Sequence, residues 1–534
     1  MAHVLLVLVH ELIHQGAAPR AFFLALLFAL VLVPLLLCFA ASTRRASGDG
    51  ELLSELPSPP GKLPVIGHLH LMGALPHVSL AGLAAKHGPD LMLLHLGAVP
   101  TVVVSSPRAA EAVLRTHDHV FASRPRSMVA DIIMYGASDS CFAPYGEHSL
   151  KARKLVTMHL LTARKVRSQR PAREEEVRLV MRRLGKAAAA RAPVDMSELL
   201  HSFVNNLICR AVSGKFSQEE GRNKLFRELT DINAALLGGF NVQDYFPSLS
   251  RLELLSKAVC AKARRVRKRW DHLLDELIDG HATRSVHRED NTEAEQEDGD
   301  FIDVLLSLQH EYGLTRDHIK AILIDMFEAG TDTSYMALEF AMAELMRKPH
   351  LMAKLQEEVR GSVPKGKEIV TEDDLTNMAY LRAVIKETLR LHPSVPLLIP
   401  HFSRYACSID GYTIPAETRV IVNAWALGRH DSYWELANEF LPERFMAGDN
   451  PTTNIDFKGN SFHFLPFGSG RRMCPGIHSA VATLEIMLAN LMYHFDWELP
   501  TGLKEDIDMT EVFGITVQRK EKLLLSPICF SFKF

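Results

Sequence analysis

One cysteine in this chain stands in a loop suited to a charged sulfur: Phe464-Leu465-Pro466-Phe467-Gly468-Ser469-Gly470-Arg471-Arg472-Met473-Cys474-Pro475-Gly476. Gly468 and Gly470 can adopt positive φ, which lets backbone amides approach the sulfur closely. Arg471 and Arg472 add positive potential, and Pro475 before an apolar run reads as a helix start whose dipole favours a thiolate. Cys474 is therefore a candidate axial metal ligand, although a lone cysteine is more often a small buried hydrophobe. Upstream, Ala329-Gly330-Thr331-Asp332-Thr333-Ser334 interrupts an otherwise apolar helical pattern. Gly330 costs about 1 kcal/mol there relative to alanine, so it needs a reason. Hydroxyls that merely back-bond to helix carbonyls are the plain alternative. Glu387-Thr388-Leu389-Arg390 puts an acid and a base three apart on one helix face. Leu389 and Leu391 suggest a buried setting, and Pro442-Glu443-Arg444-Phe445 supplies another arginine.

Phe467, Gly470, Arg472, Cys474 and Gly476 reproduce the F-x-x-G-x-R-x-C-x-G haem-binding signature, and so the chain resembles the cytochrome P-450 superfamily. The resemblance implies haem b (iron protoporphyrin IX) held through Cys474, with the other four residues completing the cofactor loop. It makes Asp332 and Thr333 an acid–alcohol pair that delivers protons to bound dioxygen beneath a kink of the long helix. It makes Glu387, Arg390 and Arg444 a buried structural network behind the cysteine loop. Arg153, His401 and Arg472 match the family's haem-propionate donors. One departure is plain: the usual W-x-x-x-R has Ser149 at its tryptophan position, so Arg153 acts without an indole N–H or else His148 or Lys151 substitutes.

The elements that must position these groups follow from the rest of the chain. Its 534 residues contain no long Gly/Ser or Pro linker between balanced halves, which favours one large domain, 68–534, behind a leader. A 47% hydrophobic and 23% charged composition is that of a globular protein, and a net charge of −3 excludes nucleic-acid binding as an expectation. Seven scattered cysteines without a C-x-x-C argue against a disulfide framework or zinc site and for a reducing compartment.

Residues 21–41 carry no charge and match the roughly 20 needed to span a bilayer, within an N-terminal segment 1–45. Arg44 and Arg45 just after it place the large C-terminal part in the cytosol by the positive-inside rule. The proline-rich stretch in 46–67 reads as an extended, semi-rigid hinge. Leu91–Gly97 and Thr101–Ser105 read as a strand pair, and strands return at Tyr412–Ile414 and Arg419–Asn423 around the turn Pro415-Ala416-Glu417-Thr418. Most of the remainder has helical period, including an unbroken pattern from Thr315 to Lys348 stopped by Pro349. The expected fold is mainly α with a minor β-sheet, the cytochrome P-450 fold.

The resemblance to plant microsomal members runs from the anchor to Phe513-Gly514-Ile515-Thr516-Val517. It implies a monooxygenase in the endoplasmic reticulum membrane that uses O2 and electrons passed from NADPH by a flavoprotein reductase. Leu225–Phe240, Asp325–Met346 and Leu200–Phe216 are similar to the indole-oxidising members of benzoxazinoid biosynthesis, which implies indole converted to indolin-2-one. Later oxygenases of that pathway, and an O2-independent haem-thiolate isomerase or dehydratase, are the alternatives. The family's pocket positions here include Ile132, Ile133, Met134, Phe327, Leu397, Leu398 and Phe513 and no Lys or Arg, which suits a small, flat, uncharged aromatic substrate. Lys151, Lys154, Arg164, Lys165, Arg167 and Arg170 form a basic cluster that could steer an acidic reductase or simply be solvated.

Overall fold

A computed structural model describes residues 47–214, 220–247, 253–289, 300–446, 455–500 and 506–530. The expected anchor over 21–41 lies outside them, and among the described residues no helix is long and apolar enough to cross a membrane.

The axis of the fold is the helix Arg316–Arg347, 32 residues long and so about 48 Å from end to end. It starts where the Thr315 hydroxyl accepts from the His318 amide at 3.2 Å and stops at Lys348, which leaves helical geometry just before Pro349. It is buried along most of its length and on nearly every face, as a helix through the middle of a large domain must be, and it carries several charged side chains into that interior. Helix Met196–Ser213 packs along it. The two approach so closely that a Cβ on Gly330 would stand 2.8 Å from Ile208 Cδ1. That approach gives Gly330 a packing reason in addition to the one the family motif implies. The helix is continuous through this glycine.

The main sheet has four strands in the order Leu91–Leu96, Val99–Val104, Arg419–Val422 and His401–Phe402. The first two form the expected hairpin, with Leu91 opposite Val104. Arg419–Val422 then joins in parallel through Thr101 and Arg419, and the short edge strand sets His401 against Val420. Tyr412–Ile414 pairs instead with Cys407–Ile409, so residues 415–418 separate strands of two different sheets.

The proline-rich stretch is less free than a spacer. Ser47–Ser54 is helical. Leu53, Leu56 and Pro59 are buried, and Leu93 donates its amide to the Pro57 carbonyl at 2.8 Å. Gly67, at φ +60°, lies so close to His95 that a Cβ would be 2.2 Å from its carbonyl oxygen. Apolar side chains between the prolines find the sheet and bury there, which the proline density did not reveal.

Candidate active site

The cysteine loop, the middle of the long helix and the segment Val395–Ile399 enclose one cavity. Its roof is Ala329, Gly330, Thr333 and Ser334, its floor Phe467, Gly468, Cys474 and Gly476, and one end collects Arg124, Arg153, His401 and Arg472.

The loop owes its shape to its glycines. Gly468 and Gly470 both have φ +67°, and a Cβ on Gly470 would fall 2.0 Å from the Leu114 carbonyl oxygen. The Cys474 amide donates to the Phe467 carbonyl at 2.9 Å, which turns the sulfur into the cavity. Helix Ile477–His494 begins behind it, and the Gly476 amide at its start donates to Sγ at 3.4 Å. The sequence anticipated a sulfur ringed by donors, and the structure supplies this one amide. Arg471 turns away to Asp118 at 3.1 Å, and Arg472 turns toward carbonyls at the end of the cavity. Burial therefore pushes the Cys474 thiol up, opposed by the Gly476 amide and Arg153. Ionisation needs a cation at the sulfur itself, which is what a bound metal provides.

The cationic end shows what the cavity accepts. Arg153 Nη2 donates to the Met473 carbonyl at 2.6 Å, and Arg472 donates to the Ala122 and Ala143 carbonyls, each at 2.6 Å. Arg124, which the sequence reading missed, holds Ile399 O at 2.6 Å and Cys141 O at 3.0 Å. The His401 ring bonds Phe121 O through Nδ1 at 2.7 Å. Among the described residues no carboxylate ion-pairs with any of these three arginines. Burial and mutual repulsion push Arg124 down to about 9, Arg472 to about 10 and His401 to about 3. A dianionic edge between them would relieve that crowding, and the two propionates of haem meet the requirement. Together with a thiol on the floor, the donor set fits the cofactor that the sequence implied.

Ser149 exchanges hydrogen bonds with the backbone of Gly146, both at 2.9 Å, and so serves the start of helix Glu147–Val156. His148 bonds the Ser138 carbonyl at 2.7 Å and Lys151 pairs with Glu147 at 2.8 Å. Neither lines the cavity. The donor beside Arg153 is Arg124, from a different segment. Its sequence neighbours, Ser123, Pro125 and Arg126, give no signal of that placement.

Thr333 donates its hydroxyl to Ala329 O at 2.8 Å and presents the same oxygen to the cavity. The back-bond and the cavity-facing role thus coexist. Asp332 lies about 100° around the helix, away from the cavity and 1% exposed. Burial pushes its carboxyl up to about 8; Asp231 adds repulsion, while Thr230 and Arg227 oppose it. The folded protein thus holds a proton on Asp332 that the unfolded chain releases near pH 4, so this group's contribution to stability falls as pH rises from about 4 to about 8. Asp332→Asn should unfold at a higher temperature than the parent at pH 8 and above, with the difference vanishing toward pH 4. Equal melting temperatures at pH 8 would refute that account.

Glu387, Arg390 and Arg444 meet behind the loop. Arg390 forms two bonds to the Glu387 carboxylate, at 2.7 and 2.8 Å, and Arg444 Nε adds a third at 3.0 Å. Arg390 also donates to the Ala437 and Glu439 carbonyls at 2.7 and 3.0 Å. Both guanidiniums lie over Trp434, at 5.2 and 5.8 Å. Trp434 touches Phe445, and rings Phe464, Phe457 and Phe467 continue the contact into the cysteine loop.

Of the expected pocket residues, Ile132, Leu397 and Phe513 are not among those lining the cavity, whereas Val395, Leu398, Ile399 and Ala329 line it. Phe327, Ile133 and Met134 do not: they are fully buried in an apolar core, where Phe327 stacks near Phe226 at 4.9 Å and Trp270 at 6.5 Å. Position 327 lies about 200° around the helix from 329, so it faces that core. The basic cluster is partly engaged internally, since Arg170 pairs with Asp373 and Glu174 at 2.6 and 2.8 Å. Arg164 and Arg167 remain exposed.

Comparison with known proteins follows the same direction. The family model described as Cytochrome P450 matches residues 57–525. The chain is 71% identical to the indole-2-monooxygenase of Zea mays over 97% of its length and 98% of that protein. It is 53% identical to the 3-hydroxyindolin-2-one monooxygenase of Zea mays, covering 94% of each chain. It is 52% identical to the indolin-2-one monooxygenase of the same plant, covering 96% of each. Among solved structures, a zebra fish cytochrome P450 with abiraterone superposes with TM-score 0.71 at 24% identity, covering 86% of this chain and all of that one.

Proposed function

The chain belongs to the cytochrome P450 family, and from that premise we propose that it inserts one oxygen atom of O2 into indole at C2, giving indolin-2-one. The observation that carries the substrate is the identity to the maize indole-2-monooxygenase, well above that to the two later oxygenases of similar length. Those later enzymes mark the second reading, oxidation of indolin-2-one. Electrons come from NADPH through a flavoprotein reductase. Its approach is favoured by Arg164 and Arg167, exposed in or beside the helix Ala163–Ser168. The charge-free stretch 21–41 anchors the protein in the endoplasmic reticulum membrane with the catalytic domain in the cytosol.

Haem, bound through Cys474 Sγ with Arg124, Arg153, His401 and Arg472 at its propionates, supplies the activation of O2. The chain supplies position and protons. Thr333 Oγ1, already donating to Ala329 O, has lone pairs left to accept a hydrogen bond from a water in the cavity. Asp332 carries a proton at neutral pH on the next residue, beside Asp231, whose side chain is 42% exposed. In this relay the proton passes from Asp231 through the buried Asp332 to Thr333 at the cavity.

Thr333→Val keeps the volume and removes the hydroxyl. NADPH consumption should continue while its coupling to product falls about tenfold or more, with the shortfall appearing as peroxide. Unchanged coupling would remove Thr333 from the relay. The substrate itself is tested with purified enzyme, reductase and NADPH, offering indole and indolin-2-one separately and identifying the products. Turnover of indolin-2-one alone would move the assignment to the later step.

A further inference from the structure

The roof of the cavity is tied to a second segment at the very residue the relay uses. Ser394 lines the cavity, and its hydroxyl donates to the Thr333 carbonyl at 3.0 Å. Among the described residues it is the one side chain from outside the long helix that hydrogen-bonds to Thr333. That carbonyl already accepts an amide one turn further along the continuous helix, so Ser394 is not needed to satisfy it. Ser394 itself stands on a stiff platform. Pro393 and Pro396 restrict the backbone around it, its carbonyl accepts the Val517 amide at 3.0 Å, and the Pro396 carbonyl accepts the Trp425 amide at 3.1 Å. Two residues earlier, His392 Nε2 bonds the Glu344 carboxyl group at 2.8 Å and its ring stacks on Phe340 at 4.4 Å. The segment thus grips the long helix at Thr333 and again at Phe340 and Glu344, two to three turns away.

Resting on the relay role given to Thr333 above, we propose that Ser394 is a positioning residue for Thr333, holding its carbonyl so that Oγ1 keeps facing the cavity. Thr333 Oγ1 gives its proton to Ala329 O at 2.8 Å, and a threonine back-bonded in this way tends to bend its helix. Gly330 lies between those two residues and weakens the same turn. A turn with both features is free to tilt, and tilting swings Oγ1 relative to the floor of the cavity. The Ser394 bond opposes that movement from a segment that is itself held at several points. A misplacement of about 1 Å is enough to lose most of the effect of a positioned group.

The test compares the haem-loaded full-length parent with Ser394→Ala, Thr333→Val and the double variant, each supplied with reductase, NADPH and the substrate turned over in the assay above. Product and peroxide are measured per NADPH consumed. Ser394→Ala should lose about fivefold in coupling while keeping the carbon monoxide spectrum of an intact thiolate site. Because Ser394 acts through Thr333, the double variant should be no worse coupled than Thr333→Val alone. Ser394→Thr, which keeps a hydroxyl, should recover most of the loss. Hydrogen exchange of the peptide covering residues 329–337 should quicken about fivefold in Ser394→Ala. If that variant does not take up haem, Ser394→Cys, similar in shape with only a weak donor, carries the same expectations. Unchanged coupling and exchange in Ser394→Ala, or losses that multiply in the double variant, overturn the proposal while the relay stands. A Thr333→Val protein that remains fully coupled overturns the relay, and with it this assignment.

Discussion

Replacing Cys474 by serine abolishes the red-shifted carbon monoxide band of the reduced protein and monooxygenase turnover together. Serine preserves the shape of the loop, because the Cys474 amide still reaches Phe467 O and the two positive-φ glycines are untouched. What it removes is a thiolate able to push electron density toward the iron, the property that favours O–O cleavage. In the folded loop the thiol is held up by burial, with one amide and one guanidinium opposing, so its ionisation is coupled to metal binding. Haem uptake should weaken in the same variant. Retention of the red-shifted band would show that another residue provides the sulfur.

The second large effect is expected far from the cavity. Arg390 and Glu387 are both fully buried, and Arg390→Ala leaves the Glu387 carboxylate with one remaining guanidinium from Arg444. Breaking a buried pair by removing one partner costs about 3–5 kcal/mol, against a typical total stability of about 5–15 kcal/mol. The Gly428 and Ala437 carbonyls lose their arginine donor as well, and the Glu439 carbonyl keeps only Arg444. The variant should accumulate little protein able to bind haem, even though no altered atom touches the cavity. The check is the carbon monoxide difference spectrum per mass of expressed protein. A normal yield of the red-shifted species, with parental resistance to denaturant, would refute the network's structural role.

Much of this site is legible from sequence because its chemistry depends on short local patterns. The glycine spacing that turns the loop, the acid and arginine one helical turn apart, and the long helix ended by Pro349 are each set by neighbouring residues. What was not legible depends on distant segments coming together. Arg124 joins Arg153 and Arg472 only because three separate stretches meet at one end of the cavity. Phe327 was placed at the pocket by its position relative to the family motif, whereas the turn of the helix carries it into the core. The proline-rich stretch reads as an extended, semi-rigid hinge because proline density reports backbone stiffness and says nothing of where Leu53 and Leu56 bury. The missing positive charge beside the cysteine was invisible for the same reason, since nothing local shows that Arg471 finds Asp118.

The bonds on the two sides of the cysteine loop differ in how much chain they enclose. Behind it, the Leu441 amide reaches Glu387 across 54 residues. In front, Arg472 reaches the Ala122 carbonyl across 350. Loop-closure entropy makes the longer enclosure costlier by about 1.7 kcal/mol, and the shorter one is closed within a compact C-terminal stretch. On chain entropy alone, the rear scaffold of the loop is thus the cheaper side to close, and the cationic end, which waits on the N-terminal third of the chain, is the costlier.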